Sequence, residues 1–219
     1  MKHRKILKYI FSLLILIPFQ VGAQDTSAFD GFRLSVDLGS LPGLYIFPDQ
    51  QRFEFQTDFK FQPNFYGVGE AGLFKTGRER DNFNYYQSGT FYRVGVGYNA
   101  IESEQDDILT IGGRIGSSFF NQYAEDISIV ATDSIWNDVS VARIREQSYS
   151  AFWLELVLSM KVELVHNLYL GWTVRGRAML FGAKAKHLEP YYVPGFGRGN
   201  KKTAVGFNYY ICYKIPLNF

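Results

Sequence analysis

The sequence predicts an all-β fold, an eight-stranded antiparallel up-and-down transmembrane β-barrel, and three observations carry that expectation. Eight segments alternate apolar and polar residues with period two. The connections between them are short at one end and mostly long at the other. The chain opens on a stretch with the make-up of a secretory signal.

That stretch, MKHRKILKYIFSLLILIPFQVGA, has a basic start (Lys2, Arg4, Lys5, Lys8), an apolar run from Tyr9 to Ile17, and small Gly22 and Ala23 before Gln24. The run is shorter than the ~20 residues a helix needs to cross a bilayer. The expected division is a cleaved signal peptide over 1–23 and one outer-membrane barrel over 24–219. Gln24, not Cys, follows the cut, so a lipid-anchored N-terminus is unsupported.

The strands follow in order. Phe32, Leu34, Val36 and Leu38 alternate with Arg33, Ser35 and Asp37, and Phe53, Phe55, Thr57, Phe59 and Phe61 with Glu54, Gln56, Asp58 and Lys60. A Gly-rich segment near 64–75 sets Phe65, Ala71 and Leu73 against Glu70. Tyr92, Val94, Val96 and Tyr98 oppose Arg93; Leu109, Ile111 and Ile115 oppose Thr110 and Arg114. Two long segments, 152–162 and 168–178, carry Glu155 and Lys161, then Arg175 and Arg177, on their polar side. The last strand, VGFNYYICYKIPLNF (205–219), alternates to its final Phe219. A terminal aromatic on such a strand resembles the signal by which outer-membrane proteins are recognised for insertion.

The connections 62–64, 99–107 and 165–167 are short or modest, whereas 40–51, 76–89, 121–149 and 181–203 are long. Tight periplasmic turns and larger outer loops are the asymmetry of bacterial outer-membrane barrels. The reason such a chain must close is that lipid offers a backbone no hydrogen bonds, so an open sheet edge cannot lie within it. Alternation alone leaves one rival, a soluble lipocalin-like barrel with its apolar face around a ligand. The loop asymmetry and terminal Phe favour the membrane barrel.

Aromatic residues form 17% of the chain, which suits strands. Without the signal, 19 of the 23 basic residues face 21 acidic ones, so the mature chain is near −2 and carries no basic stripe for nucleic acid. The single Cys212 excludes an internal disulfide. With only His166 and His187 remaining, neither a zinc site nor a cysteine nucleophile is expected.

If the apolar parity faces lipid, the other parity lines the lumen. It holds Arg33, Lys60, Arg93, Arg114, Lys161, Arg175, Arg177 and Lys214 against Asp37, Glu54, Asp58, Glu70, Glu155 and Glu163. Eight strands enclose only enough room for side chains, and unpaired buried ions cost several kcal/mol each. A structural ion network that plugs the barrel is therefore expected, and no cofactor or metal site. Catalysis would need more than His187 beside Glu189 with Ser117 or Ser118, because nothing in their spacing requires a triad. The expectation is a non-enzyme, with a lipid-modifying outer-membrane enzyme as the alternative. In KHLEPYYVPGFGRGNKK (186–202), two prolines stiffen a segment carrying Tyr191, Tyr192, Phe196 and Arg198. These four are the expected partner-contact residues, unless the rings fold over the barrel mouth. The expected partners are outer-membrane lipid and another envelope protein.

GFRLSVDLG (31–39), YNA (98–100), LGWTVRGR (170–177), PYYVPGFGRG (190–199) and GFNYYICYKIP (206–216) together resemble an uncharacterised family of small outer-membrane β-barrels from Gram-negative bacteria. The resemblance implies an outer-membrane barrel and assigns no catalytic or binding residue.

Overall fold

Each segment of period-two alternation forms a strand, and the strands close on one another. In a computed structural model of the chain, residues 31–40, 50–80, 83–101, 106–130, 139–182 and 189–216 are described. The strands are β1 (Phe32–Asp37), β2 (Gln50–Gln62), β3 (Phe65–Arg80), β4 (Phe83–Asn99), β5 (Ile108–Val130), β6 (Val139–Val165), β7 (Leu168–Phe181), β8 (Tyr192–Val193), β9 (Gly197–Arg198) and β10 (Thr203–Ile215). Eight form a closed antiparallel barrel in the order β1-β10-β7-β6-β5-β4-β3-β2, and β8 and β9 form a separate two-stranded hairpin. The expected signal segment and Phe219 lie outside the described residues.

The barrel is charged within and apolar without. Leu156 is 70% exposed, and Phe53, Leu73, Val94, Ile115, Val174, Phe207 and Tyr213 also stand on the outside. Glu54, Arg93, Glu155 and Arg175 are buried on the opposite parity. This is the pattern of a transmembrane barrel, and it is the reverse of the lipocalin-like arrangement, which needs the apolar parity inside. At the end with the short turns, the rings of Phe32, Phe59, Phe61, Phe65 and Tyr98 touch in sequence, with centroids 6.0, 6.2, 6.2 and 5.3 Å apart. They make one arc of an aromatic girdle. From Phe65 to Leu73 the backbone rises about 3.3 Å per residue at a tilt of about 35–45°, climbing about 20 Å, close to the ~25 Å height of such a belt.

Two outer connections are shorter than the sequence suggests. The expected loop at 76–89 is mostly strand, since β3 runs to Arg80 and β4 starts at Phe83. In the expected loop at 121–149, β5 continues to Val130 and β6 begins at Val139. Apolar alternation stops where the belt stops, but strand pairing does not: Lys75 pairs with Ser88, Gly77 with Tyr86 and Asn121 with Ser148. The wall made by β3 to β6 thus continues past the apolar belt with polar residues.

Leu156→Arg tests which solvent the outer wall meets. In lipid vesicles, equilibrium unfolding in urea should show a loss of about 2–4 kcal/mol, the cost of a cation near the bilayer midplane. At an exposed site of a water-soluble barrel the loss would be within about 0.5 kcal/mol.

Candidate functional site: the lumen and its outer mouth

The inward parity gathers residues from every barrel strand into a charged storey, in two levels, and an aromatic storey beyond it. Near the turns, Arg33 on β1 lies opposite Asp58 on β2 and Lys214 on β10. Asp58 accepts from Lys161 Nζ and stands 4.0 Å from Arg33 Nη1. The Arg33 guanidinium also faces the rings of Tyr66 and Tyr169 at 5.3 and 5.6 Å. Lys214 reaches Asp106 at 3.4 Å, in the β4–β5 turn.

The middle of the lumen holds the densest network. Arg93 contacts Glu54 at 2.9 Å, Glu70 at 2.5 Å and Glu155 at 3.0 Å. Arg175 meets the same three carboxylates at 3.6, 2.8 and 3.5 Å. Arg114 pairs with Glu70, and Arg177 lies 3.2 Å from Glu155. The Tyr210 hydroxyl donates to Glu54 Oε1 at 2.6 Å and accepts from Arg175 Nη2 at 2.8 Å. Asp37, nearer the outer end of β1, accepts from Arg52 Nη2 at 2.8 Å, Asn208 Nδ2 at 3.0 Å and Gly39 N at 3.1 Å. Sharing each ion among several partners is what makes such burial tolerable. A cavity lined by Gln56, Asp58, Tyr66, Arg114 and Lys161 measures only about 10 Å³, the lower limit for one water.

The outer storey is aromatic. Phe91, Phe120, Tyr149, Ala151 and Trp153 form a buried cluster inside the barrel with Val193 and Phe196 of the β8–β9 segment. Trp153 joins the storeys, its Nε1 donating to Glu155 Oε1 at 2.7 Å. Room for the indole comes from Gly116 opposite, where a Cβ would fall 2.2 Å from Trp153 Cε2.

The hairpin is a plug, held by its backbone as much as by its rings. Arg93 Nη2 donates to Gly195 O and Arg177 Nη1 to Phe196 O, each at 2.8 Å, and Gln87 Nε2 donates to Tyr192 O at 2.6 Å. Phe196 packs edge-on against Trp153 at 5.8 Å, and Tyr192 stacks on Phe74 at 4.8 Å. Gly195 turns the chain at φ +77°, a position where a Cβ would also meet the Phe91 ring at 2.5 Å.

The four expected partner-contact residues therefore divide. Phe196 is 0% exposed, which corrects its assignment to a contact surface: its ring is an internal anchor. Tyr192 is half-buried against Phe74. Tyr191, 55% exposed beneath the Arg78 guanidinium at 5.0 Å, and Arg198 remain outside. All twelve residues expected to form the ion network lie buried within the barrel: Arg33, Asp37, Glu54, Asp58, Glu70, Arg93, Arg114, Glu155, Lys161, Arg175, Arg177 and Lys214. Lys60 and Glu163 sit half-buried near the turns. Sequence reasoning missed Arg52, which shares the parity of Glu54, and Asp106. It also missed the aromatic storey, although Phe91 and Trp153 stand on the parity that elsewhere carries charge. Ser118 is buried and donates to Thr90 O at 3.2 Å, and His187 lies outside the described residues. Among the described residues, no three His, Cys, Asp or Glu side chains are grouped to hold a metal ion.

A family described as a domain of unknown function (DUF6048) matches residues 6–218. The chain belongs to this family. No curated protein matches the chain. Among solved structures, this DUF6048 chain is similar to a major outer membrane protein from Thermus thermophilus, with a TM-score of 0.51 and 10% identity over 86% of this chain and 100% of that one. At that identity the likeness is one of fold, and the shared fold is an outer-membrane β-barrel.

Two substitutions separate the storeys. Arg175→Met leaves three carboxylates short of a partner and should lower barrel stability by about 3–5 kcal/mol in denaturant titrations. Phe196→Ala removes the plug's anchor. Hydrogen exchange should rise at the Phe196 and Gly199 amides, which donate to Val193 O and Tyr191 O, while the β2 to β7 amides keep their protection.

Proposed function

We propose that this protein is an exported outer-membrane barrel with a structural or interaction role in the cell envelope, carried by its outer surface and not by its lumen. The observation behind this reading is the filled interior. Ion pairs close the middle, and the plug, gripped by Arg93 and Arg177, closes the outer mouth. A filled eight-stranded barrel supports no route for solute. Its outer surface, in contrast, is built beyond what anchoring needs. Strands β5 and β6 have 23 and 27 residues, where a tilted membrane strand needs about 9–11. The excess raises a polar wall that carries Tyr86 stacked on Tyr123 at 5.1 Å.

In this reading the contact surface combines the exposed face of the plug, Tyr191 and Arg198, with neighbouring Arg78. An exposed aromatic flanked by arginines is the composition enriched in binding hot spots. The role is non-catalytic, and the partner is another protein of the envelope.

Photo-crosslinking in cells tests it. A benzophenone residue at position 191 or 198 should give adducts of discrete mass, and one at position 156 should give none beyond lipid. Arg198→Glu should weaken the 191 adduct. Identical patterns from positions 191 and 156 would overturn the assignment. Fractionation, with electrophoresis of boiled and unboiled samples, tests the barrel itself: the native form should migrate differently from the boiled one.

A further inference from the structure

The outer wall is not evenly covered where the apolar belt ends. Outward residues of β4 are small at this level, Ser88 and Thr90, and between them the backbone passes through Gly89. Larger neighbours stand to either side, Leu73 on β3 and Phe119 on β5. The result is a depression of about 760 Å³, within the ~300–1,000 Å³ typical of ligand pockets. Its lower wall is apolar, from Phe53, Leu73 and Phe119. A second depression of about 530 Å³ continues it outward, sharing Gln51, Lys75, Ser88 and Asn121.

Charges are ordered along this path. Lys75 is exposed at the junction of the two depressions and makes no ion pair among the described residues. Glu79 and Glu146 line only the outer one, where Glu79 also accepts from the Tyr86 hydroxyl at 3.2 Å. Moving away from the membrane, the sequence is apolar groove, cation, anion. An acyl chain followed by a phosphate and then a primary ammonium is the complementary order.

We propose that this groove binds one outer-leaflet lipid with a phosphoethanolamine headgroup. An acyl chain lies over Ser88 and Thr90, the phosphate meets Lys75, and the ammonium meets Glu79 and Glu146. The proposal rests on the reading that the wall faces lipid. An anionic lipid without the ammonium would satisfy Lys75 but set its charge against both glutamates.

Native mass spectrometry of the full chain released from bilayers of equal phosphatidylethanolamine and phosphatidylglycerol tests it. One phosphatidylethanolamine should survive activation that strips all other lipid. Lys75→Glu should lower its occupancy about fivefold, as expected for a surface ion pair near the upper end of its range. Ser88→Trp, which fills the groove, should abolish it, with Thr90→Trp as a second filling variant. Glu79→Lys with Glu146→Lys should move the preference to phosphatidylglycerol. Equal retention of both lipids, no retained lipid, or an occupancy unchanged by either tryptophan overturns the site while the membrane barrel stands. A chain that does not enter these bilayers overturns the reading beneath it.

Discussion

Closure is the constraint on which the rest of this molecule depends. A sheet that meets lipid must satisfy every backbone N–H and C=O within itself, so its first and last strands must pair. Here that join is narrow. Strand β1 has six residues, Phe32–Asp37; all six pair with β10 on one side, and five of them, from Phe32 to Val36, pair with β2 on the other. Once the ring is closed, period two leaves no freedom: each strand gives one parity to the outside and one to a lumen with little space. The inward residues must then neutralise and fill one another.

They do so unevenly, and the imbalance explains the plug. Among the described residues, seven buried bases (Arg33, Arg93, Arg114, Lys161, Arg175, Arg177, Lys214) meet five buried acids (Asp37, Glu54, Asp58, Glu70, Glu155). Arginine has five donors and no acceptor, so an excess of arginine is above all an excess of donors. The carbonyls of Gly195 and Phe196 accept from Arg93 and Arg177. The hairpin thus completes the ion network from above, and its Phe196 completes the aromatic storey. Polar and apolar packing require the same few residues to enter the mouth.

The barrel was legible because the residues that signal a strand are those that meet lipid. Phe53 to Phe61 alternate cleanly since each odd position faces the apolar side. The polar continuations of β3 to β6 were not, because above the belt nothing obliges an outward residue to be apolar, and Lys75 or Asn121 pairs as well as Leu73. The ion network followed from parity alone, and Arg52 escaped it only because the clean alternation of its strand starts at Phe53. The fate of PYYVPGFGRG was left open by its residues: its rings read as a contact surface or as a cover over the mouth. What decides it is long-range, the presence of Phe91 and Trp153 on the charged parity of distant strands. Large aromatics on an otherwise polar face were the available sign that something apolar must descend to meet them.

The inside and outside of the wall are linked through β4. A Cβ on Gly89 would fall 2.3 Å from Phe120 Cβ, so the inward aromatic storey needs a glycine there. At that residue the wall has backbone and no side chain. With Ser88 and Thr90 on the other face, no large side chain refills the space from outside. The same stretch of strand that lets Phe120 stack on Tyr149 at 5.5 Å therefore leaves a groove toward lipid. A bulkier residue at 89 would disturb the plug's seat first and the groove second, whereas one at 88 would reach only the groove. The two surfaces share a backbone but have separate side chains, so the mouth and the outer wall are open to independent change by substitution.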